Sequence, residues 1–292
     1  MNNLSISTTF LPDGKSLYDA LRICDSLDLQ SVEIGSNHCF ERNYDYINDF
    51  SFNYLLHNYF PIPESSFVLN IASFDEGIRD RSLRHIIKAI DFCDYIGGHL
   101  YTFHPGFLTD PKGSNKSNKN YDFQWDKNQI DNKNFIKVKE LMYRTLDKVI
   151  HYAQSKNVTI AIETEGSLNK KEHLLMQRPE EYIDFMSNYE NSDIGINLNI
   201  GHLNLAANAF EFKREDFVEL ISDYMVAMEL SHNNGYEDQH LPLCAEKWYW
   251  TIINDIRFKH TYKIMEFRNT KISDIVKCIE LFNKEYHALQ IS

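Results

Sequence analysis

Short runs rich in β-branched and aromatic residues alternate along this chain with longer runs in which apolar residues recur every three or four positions. The short runs are Leu4–Thr8, Ser31–Gly35, Tyr54–Asn58, His99–Phe103, Thr159–Glu163, Ile194–Asn199, Val226–Ser231 and Tyr262–Glu266. Runs of this length, apolar on both faces, predict buried strands. Helical spacing fills most of the intervals. Ser16–Leu27 places Leu17, Ala20, Leu21 and Cys24 on one face, and Ile78–Ile96 does the same with Leu83, Ile86, Ile87 and Ile90. Phe135–Gln154, Phe217–Tyr224 and Ile272–Tyr286 follow the same rule, and Pro179-Glu-Glu reads as a helix start with proline in the first turn.

Eight strands alternating with helices predict an α/β fold, a single (β/α)8 TIM barrel occupying residues 1–292. A doubly wound sheet is the competing architecture. It more often carries a glycine-rich turn after its first strand, and here the chain reads Thr9-Phe-Leu-Pro-Asp-Gly14. No linker divides the chain. The polar segment 108–134, with its Ser114-Asn-Lys-Ser-Asn-Lys-Asn120 run, is expected to be a long loop over the active face. Lid and inert loop are both open for it.

Composition narrows the classes. The chain has 292 residues, 43% hydrophobic and 25% charged, which is globular and excludes disordered, collagen-like and coiled-coil proteins. No apolar run approaches the roughly 20 residues needed to cross a bilayer. The opening Met1-Asn-Asn-Leu-Ser-Ile-Ser has no basic or long apolar region, so a cytoplasmic protein is expected. Five cysteines with no CxxC pair read as free thiols in a reducing compartment. The net charge of −12 argues against a nucleic acid as partner.

Strand ends carry the chemistry. Polar residues there include His57, His104, Glu163 with Glu165, Asn199 with His202, Glu229 with His232, and Glu266 with Arg268. In a barrel these ends converge on one mouth. Carboxylates, amides and imidazoles gathered without a balancing cation would repel and pay for desolvation. A divalent metal resolves that cost, and oxygen with imidazole ligation suits Mn²⁺, Mg²⁺, Co²⁺ or Zn²⁺.

With these residues the chain resembles the xylose-isomerase-like barrel superfamily, which includes sugar-phosphate isomerases/epimerases and the endonuclease IV class of abasic-site nucleases. The motifs are Phe103-His104-Pro105-Gly106, Ile160-Ala-Ile-Glu163, Asn199-Ile-Gly-His202, Asp238-Gln-His240 and Glu266. They run in order over nearly the whole chain. The resemblance implies metal ligands Glu163 and Glu266 on the fifth and eighth strands. The sixth-strand Asp of the pattern is Asn199 here. On the seventh strand, counting back from Asp238 puts Glu229 where the pattern has His, with His232 three residues on. Strand alternation places those two on opposite faces. Three arrangements stay open: a metal held by Glu163, Asn199, Glu229 and Glu266; a metal taking His232; or a decayed site. His57, His104, His202, Asp238 and His240 resemble positions that hold further zinc ions in the nuclease branch, or touch substrate in the sugar branch, so a second metal is also open.

The resemblance implies a divalent-metal-dependent sugar or sugar-phosphate isomerase/epimerase in which Glu163 and Glu266 trade a proton at a sugar carbon. Arg268 would bind a substrate hydroxyl, carboxylate or phosphate, or else pair with a loop acid. Phe103, Phe107, Trp248 and Trp250 would stack on the sugar or pack in the core. The alternatives are an abasic-site phosphodiesterase and a lyase or dehydratase relative. A small sugar is the expected partner, no membrane is expected, and a homodimer or tetramer is what such relatives form.

Overall fold

The computed structural model of the chain describes residues 4–114, 123–125, 132–168 and 173–286. Its elements run in the order β1 (Leu4–Ser7), α1 (Leu17–Ser26), β2 (Ser31–Ile34), β3 (Asn53–His57), α2 (Glu76–Tyr95), β4 (Leu100–Phe103), β5 (Pro111–Ser114), β6 (Phe123–Trp125), α3 (Asn132–Ala153), β7 (Thr159–Glu163), α4 (Pro179–Asn188), β8 (Gly195–Asn199), α5 (Ile200–Phe210), α6 (Arg214–Ile221), β9 (Met225–Leu230), α7 (Tyr249–Ile253), β10 (Tyr262–Met265) and α8 (Ile272–Glu285). Eight of the strands close a parallel barrel in the order β1-β10-β9-β8-β7-β4-β3-β2. Each barrel strand falls within one residue, at either end, of the run that predicted it.

Several helices begin where a side chain satisfies their first amides. Ser16 Oγ accepts from the Tyr18 amide at 3.1 Å to start α1, and Asp75 Oδ1 accepts from the Ile78 amide at 3.1 Å to start α2. Before α4 the buried Glu181 carboxylate accepts three amides, from Met176, Gln177 and Arg178, at 2.9–3.0 Å. Two departures from the expected repeat have physical reasons. Between β2 and β3 the described residues hold only a 3-10 turn, Asp45–Asp49. Conversely, α5 has a run of buried residues from Ile200 to Ala207, so it shows no polar face and escapes an amphipathicity reading.

The segment 108–134 departs from a plain loop. Its described part contains an antiparallel pair, β5 with β6. The Asn/Lys run beyond Ser114 lies outside the described residues, as do residues 1–3. Among the described residues no helix is long and apolar enough to cross a membrane. All five cysteines are free; Cys24, Cys93 and Cys278 are buried.

Candidate active site at the barrel mouth

The barrel interior is layered, and the layering builds the site. Leu55, Leu100, Ala161, Ala227 and Ile264, from five different strands, form a buried cluster of their own, separate from the core between barrel and helices. Side chains alternate with a period of two along a strand. The next inward residues are therefore His57, Thr102, Glu163, Glu229 and Glu266. The same step on the other three strands leads from Ser5 to Ser7, Ser31 to Glu33 and Asn197 to Asn199. The result is a ring of Ser7, Glu33, His57, Thr102, Glu163, Asn199, Glu229 and Glu266, one residue per strand, all buried. An apolar floor thus supports a polar ring at the C-terminal face, where barrel active sites form.

Two of the four ring carboxylates, Glu163 and Glu266, face imidazoles that come from beyond the strand ends, and His57 of the ring itself also lies beside Glu163. Glu163 Oε2 lies 3.6 Å from His57 Nε2 and 3.5 Å from His104 Nδ1, and its Oε1 lies 3.1 Å from His202 Nδ1. His104 Nδ1 donates to Glu165 Oε1 at 2.6 Å. A Cβ on the next residue, Gly166, would collide with the His202 carbonyl, so only glycine lets the chain turn there. Glu266 Oε2 lies 2.9 Å from His240 Nδ1, whose Nε2 pairs with Asp238 at 3.0 Å; His202 Nε2 faces the same aspartate at 3.6 Å. Burial alone would push the Glu163 carboxyl up, but His104, His202 and His57 hold it well below the usual carboxylate range. Burial is likewise outweighed at Glu266, held at about 2 by His240 and Arg268. The partners respond in kind: against burial, Glu163 and Glu165 lift His104 to about 9, and Asp238 and Glu266 help lift His240 to about 8.

Glu33 and Glu229 lack such partners. Both are 0% exposed. Burial, then repulsion from Glu266, pushes Glu33 well above the usual range; Ser7 opposes this and Glu163 adds to it. Burial and the other three ring carboxylates push Glu229 up. Glu229 accepts from two amides, Asn197 Nδ2 at 2.6 Å and Asn199 Nδ2 at 2.8 Å, and its Oε1 lies 3.4 Å from His57 Nδ1. Neither oxygen of Glu33 has a hydrogen-bond partner in usable geometry. The sequence reading missed Glu33 because it looked only at strand ends. The available signal was an acid inside the apolar run Ser31–Gly35, at the same inward level as Glu163.

The structure brings together Glu163, Glu229, Glu266, His57, His104, His202, Asp238 and His240. It does not bring in His232, whose backbone pairs with Leu241 and whose ring packs on Tyr249, 6.1 Å between centroids. As strand alternation requires, Glu229 faces inward and His232 does not. Asn199 is in the ring, but its amide is turned. Its Oδ1 caps α5 by accepting from the His202 amide at 3.1 Å, and its Nδ2 donates to Glu163 at 2.9 Å and to Glu229. The cap fixes which end is oxygen, so the quartet Glu163, Asn199, Glu229 and Glu266 is not gathered as a single donor set. Arg268 is exposed at the rim, and its amide donates to the His240 carbonyl at 3.4 Å. Phe103 points outward into the core, stacked on Tyr101, and Trp250 packs on Phe282, so neither forms a platform in the mouth. Phe107 bridges to Leu174, and Trp248 lies under the Arg214 guanidinium.

The donor sets that could hold a metal ion are His57–His104–Glu163, His202–Asp238–His240 and Glu33–His57–Glu229, each with ligand atoms within 4.8 Å of one another. Their chemistry, imidazole with carboxylate, fits a divalent cation. The Glu163 Oε2 and His202 Nε2 atoms are buried without a hydrogen bond in good geometry, as a cation-ready site requires.

Comparison with known proteins bears on this geometry. An uncharacterized protein of Methanocaldococcus jannaschii is 26% identical over 286 residues, spanning 95% of this chain and 96% of its own. A probable endonuclease 4 of Aquifex aeolicus is 42% identical over 40 residues, 14% of each chain. Among solved structures, a D-tagatose 3-epimerase-like protein superposes with a TM-score of 0.69 at 18% identity, covering 97% of this chain and 96% of that one. The family model described as xylose isomerase-like TIM barrel matches residues 45–287. The closed eight-stranded barrel is what that match requires, and the chain belongs to the xylose isomerase-like TIM barrel family.

Proposed function

We propose that the protein is a divalent-metal-dependent isomerase or epimerase of a small sugar or sugar phosphate. The observation that carries this reading is the pair of buried, ionised carboxylates Glu163 and Glu266, each held against protonated imidazole in one mouth. Proton abstraction beside a carbonyl needs a base that is ionised at neutral pH, an acid to return the proton, and positive charge where negative charge develops. Glu163 is the base. His104 and His202 hold its carboxylate in place; without a cation they carry the positive charge beside it as imidazolium, and with one bound they would be neutral ligands and the cation would carry that charge. Glu266 passes the proton back, fed by His240, whose second nitrogen is held by Asp238. Arg268 at the rim binds a hydroxyl or phosphate of the substrate. His104 and Asp238, with side chains 15% and 16% exposed, are the members of this group that meet solvent, so substrate arrives over them.

The cation would be held by His57, His104 and Glu163, with His202, Asp238 and His240 as a second donor set. When bound it supplies Lewis-acid polarisation of the substrate carbonyl. The D-tagatose 3-epimerase-like structure supports this reading through its fold. The test is incubation with Mn²⁺ or Co²⁺ and a panel of ketoses, aldoses and their phosphates in D₂O. Deuterium appearing at a sugar carbon is the expected result.

A second reading, an abasic-site phosphodiesterase, is favoured by the 40-residue likeness to a probable endonuclease 4 and by the His57–His104–Glu163 and His202–Asp238–His240 donor sets. The net charge of −12 weighs against a polyanionic substrate. Nicking of an abasic duplex with no exchange into any sugar would replace the first reading by this one.

A further inference from the structure

We propose that Glu33 and Glu229, with His57 Nδ1 as the third donor, bind a divalent cation inside the barrel, at a position that shares His57 with the donor set around Glu163 but has its own two carboxylates, and that lies apart from the set around Asp238. The Glu33 carboxyl is fully buried, and both its oxygens lack a hydrogen-bond partner while ligand atoms of His57 and Glu229 lie within 4.8 Å. A buried carboxylate left without partners costs several kcal/mol, which folding tolerates only where a proton or a cation takes up the charge. Glu229 stands across the barrel from it on β9, with Oε1 3.4 Å from His57 Nδ1. The two asparagine amides that reach Glu229 take one lone pair on each of its oxygens and leave another on each. Thr102 Oγ1, 2.8 Å from His57 Nδ1, is the contact a cation would displace.

The orientation of Asn199 strengthens the case. Because its oxygen is committed to the α5 cap, this chain does not present Asn199 as a ligand beside Glu163. The acid on the neighbouring strand β9 supplies the missing negative charge, and its carboxylate reaches within 4.8 Å of Glu33. Two carboxylates and one imidazole suit Mn²⁺, Co²⁺ or Zn²⁺. Ser7, the ring neighbour of Glu33, adds a hydroxyl on the same level. The inference stands on this geometry and does not depend on the reaction catalysed.

The experiment is Co²⁺ binding to the full-length, chelator-stripped protein, read by elemental analysis after desalting and by the visible absorption of the bound ion. Wild type is expected to bind about one Co²⁺ per chain more than Glu33→Gln. The affinity of that site should fall by more than the 10–100-fold typical of losing an outer partner. Glu33→Gln is near-isosteric and its metal-free melting temperature shows that it folds; Glu229→Gln is the second variant should it not. Equal stoichiometry, affinity and spectrum in wild type and the folded variant would overturn the proposal.

Discussion

The four carboxylates of the ring share one level, one burial and one barrel, yet they divide into two pairs. Glu163 and Glu266 face imidazoles on the loops above and are held ionised. Glu229 faces two amides and, at 3.4 Å, His57, Glu33 has no hydrogen-bond partner in usable geometry, and both are pushed toward the neutral form. Burial is common to all four, so the difference lies in what the loops deliver. His104, His202, Asp238 and His240 all come from beyond strand ends, and they gather over Glu163 and Glu266 although Glu229 lies between those two in the ring. The barrel supplies carboxylates by strand alternation; the residues beyond the strand ends decide which of them are held ionised and which are pushed toward the neutral form.

The largest effect expected is on catalysis. Glu163→Gln keeps the shape of the ring and removes the base, so exchange of the sugar C–H with solvent should fall by about 10²–10⁴-fold. Retention of exchange within a few fold would place the chemistry elsewhere. Next comes Asn199→Asp, which restores an acid at the sixth strand. It replaces two amide donors, to Glu163 and Glu229, by a fifth carboxylate on the ring. In chelator this should destabilise the fold by about 1–3 kcal/mol in urea titration. A neutral outcome would mean that the amide bridges between the two pairs carry little.

The pairs should also respond to pH with opposite signs in the metal-free protein. Glu266 has a folded value of about 2, below its unfolded one, so it contributes stability above about pH 4.5 that is lost as pH falls toward 2. Glu266→Gln should therefore lower stability at pH 7 and flatten the acid limb. Glu33 is raised on folding, so its contribution is present below the unfolded value and lost as pH rises through the folded one. Glu33→Gln should raise stability at pH 7 in chelator. Urea midpoints at pH 3 and pH 7 check both signs, and a common sign would erase the distinction between the pairs. The smallest effect is expected of His232→Ala. His232 lies off the ring, so metal content should be unchanged and stability should move by about 1 kcal/mol or less.

Much of this was legible in the sequence, for identifiable reasons. The strands were legible because parallel barrel strands are apolar on both faces and end in polar residues; Thr159–Glu163 fell on both boundaries. The opposed directions of Glu229 and His232 followed from alternation alone. Helix α5 was not legible, because a helix buried over most of its surface carries no amphipathic period. The orientation of the Asn199 amide was not legible either. It depends on a capping bond to His202, a local geometry that residue type alone does not specify. Glu33 was hidden by attention to strand ends, although the same two-residue alternation that positions Glu163 positions it.

The central claim is that Glu33 and Glu229, with His57, form a cation site of their own beside the donor sets around Glu163 and Asp238. The most direct measurement is anomalous diffraction from a crystal of the Mn²⁺- or Co²⁺-loaded protein. The account predicts a peak about 2.0–2.3 Å from oxygens of both Glu33 and Glu229. Peaks confined to the Glu163–His104 and His202–Asp238–His240 groups, with none between Glu33 and Glu229, would contradict it.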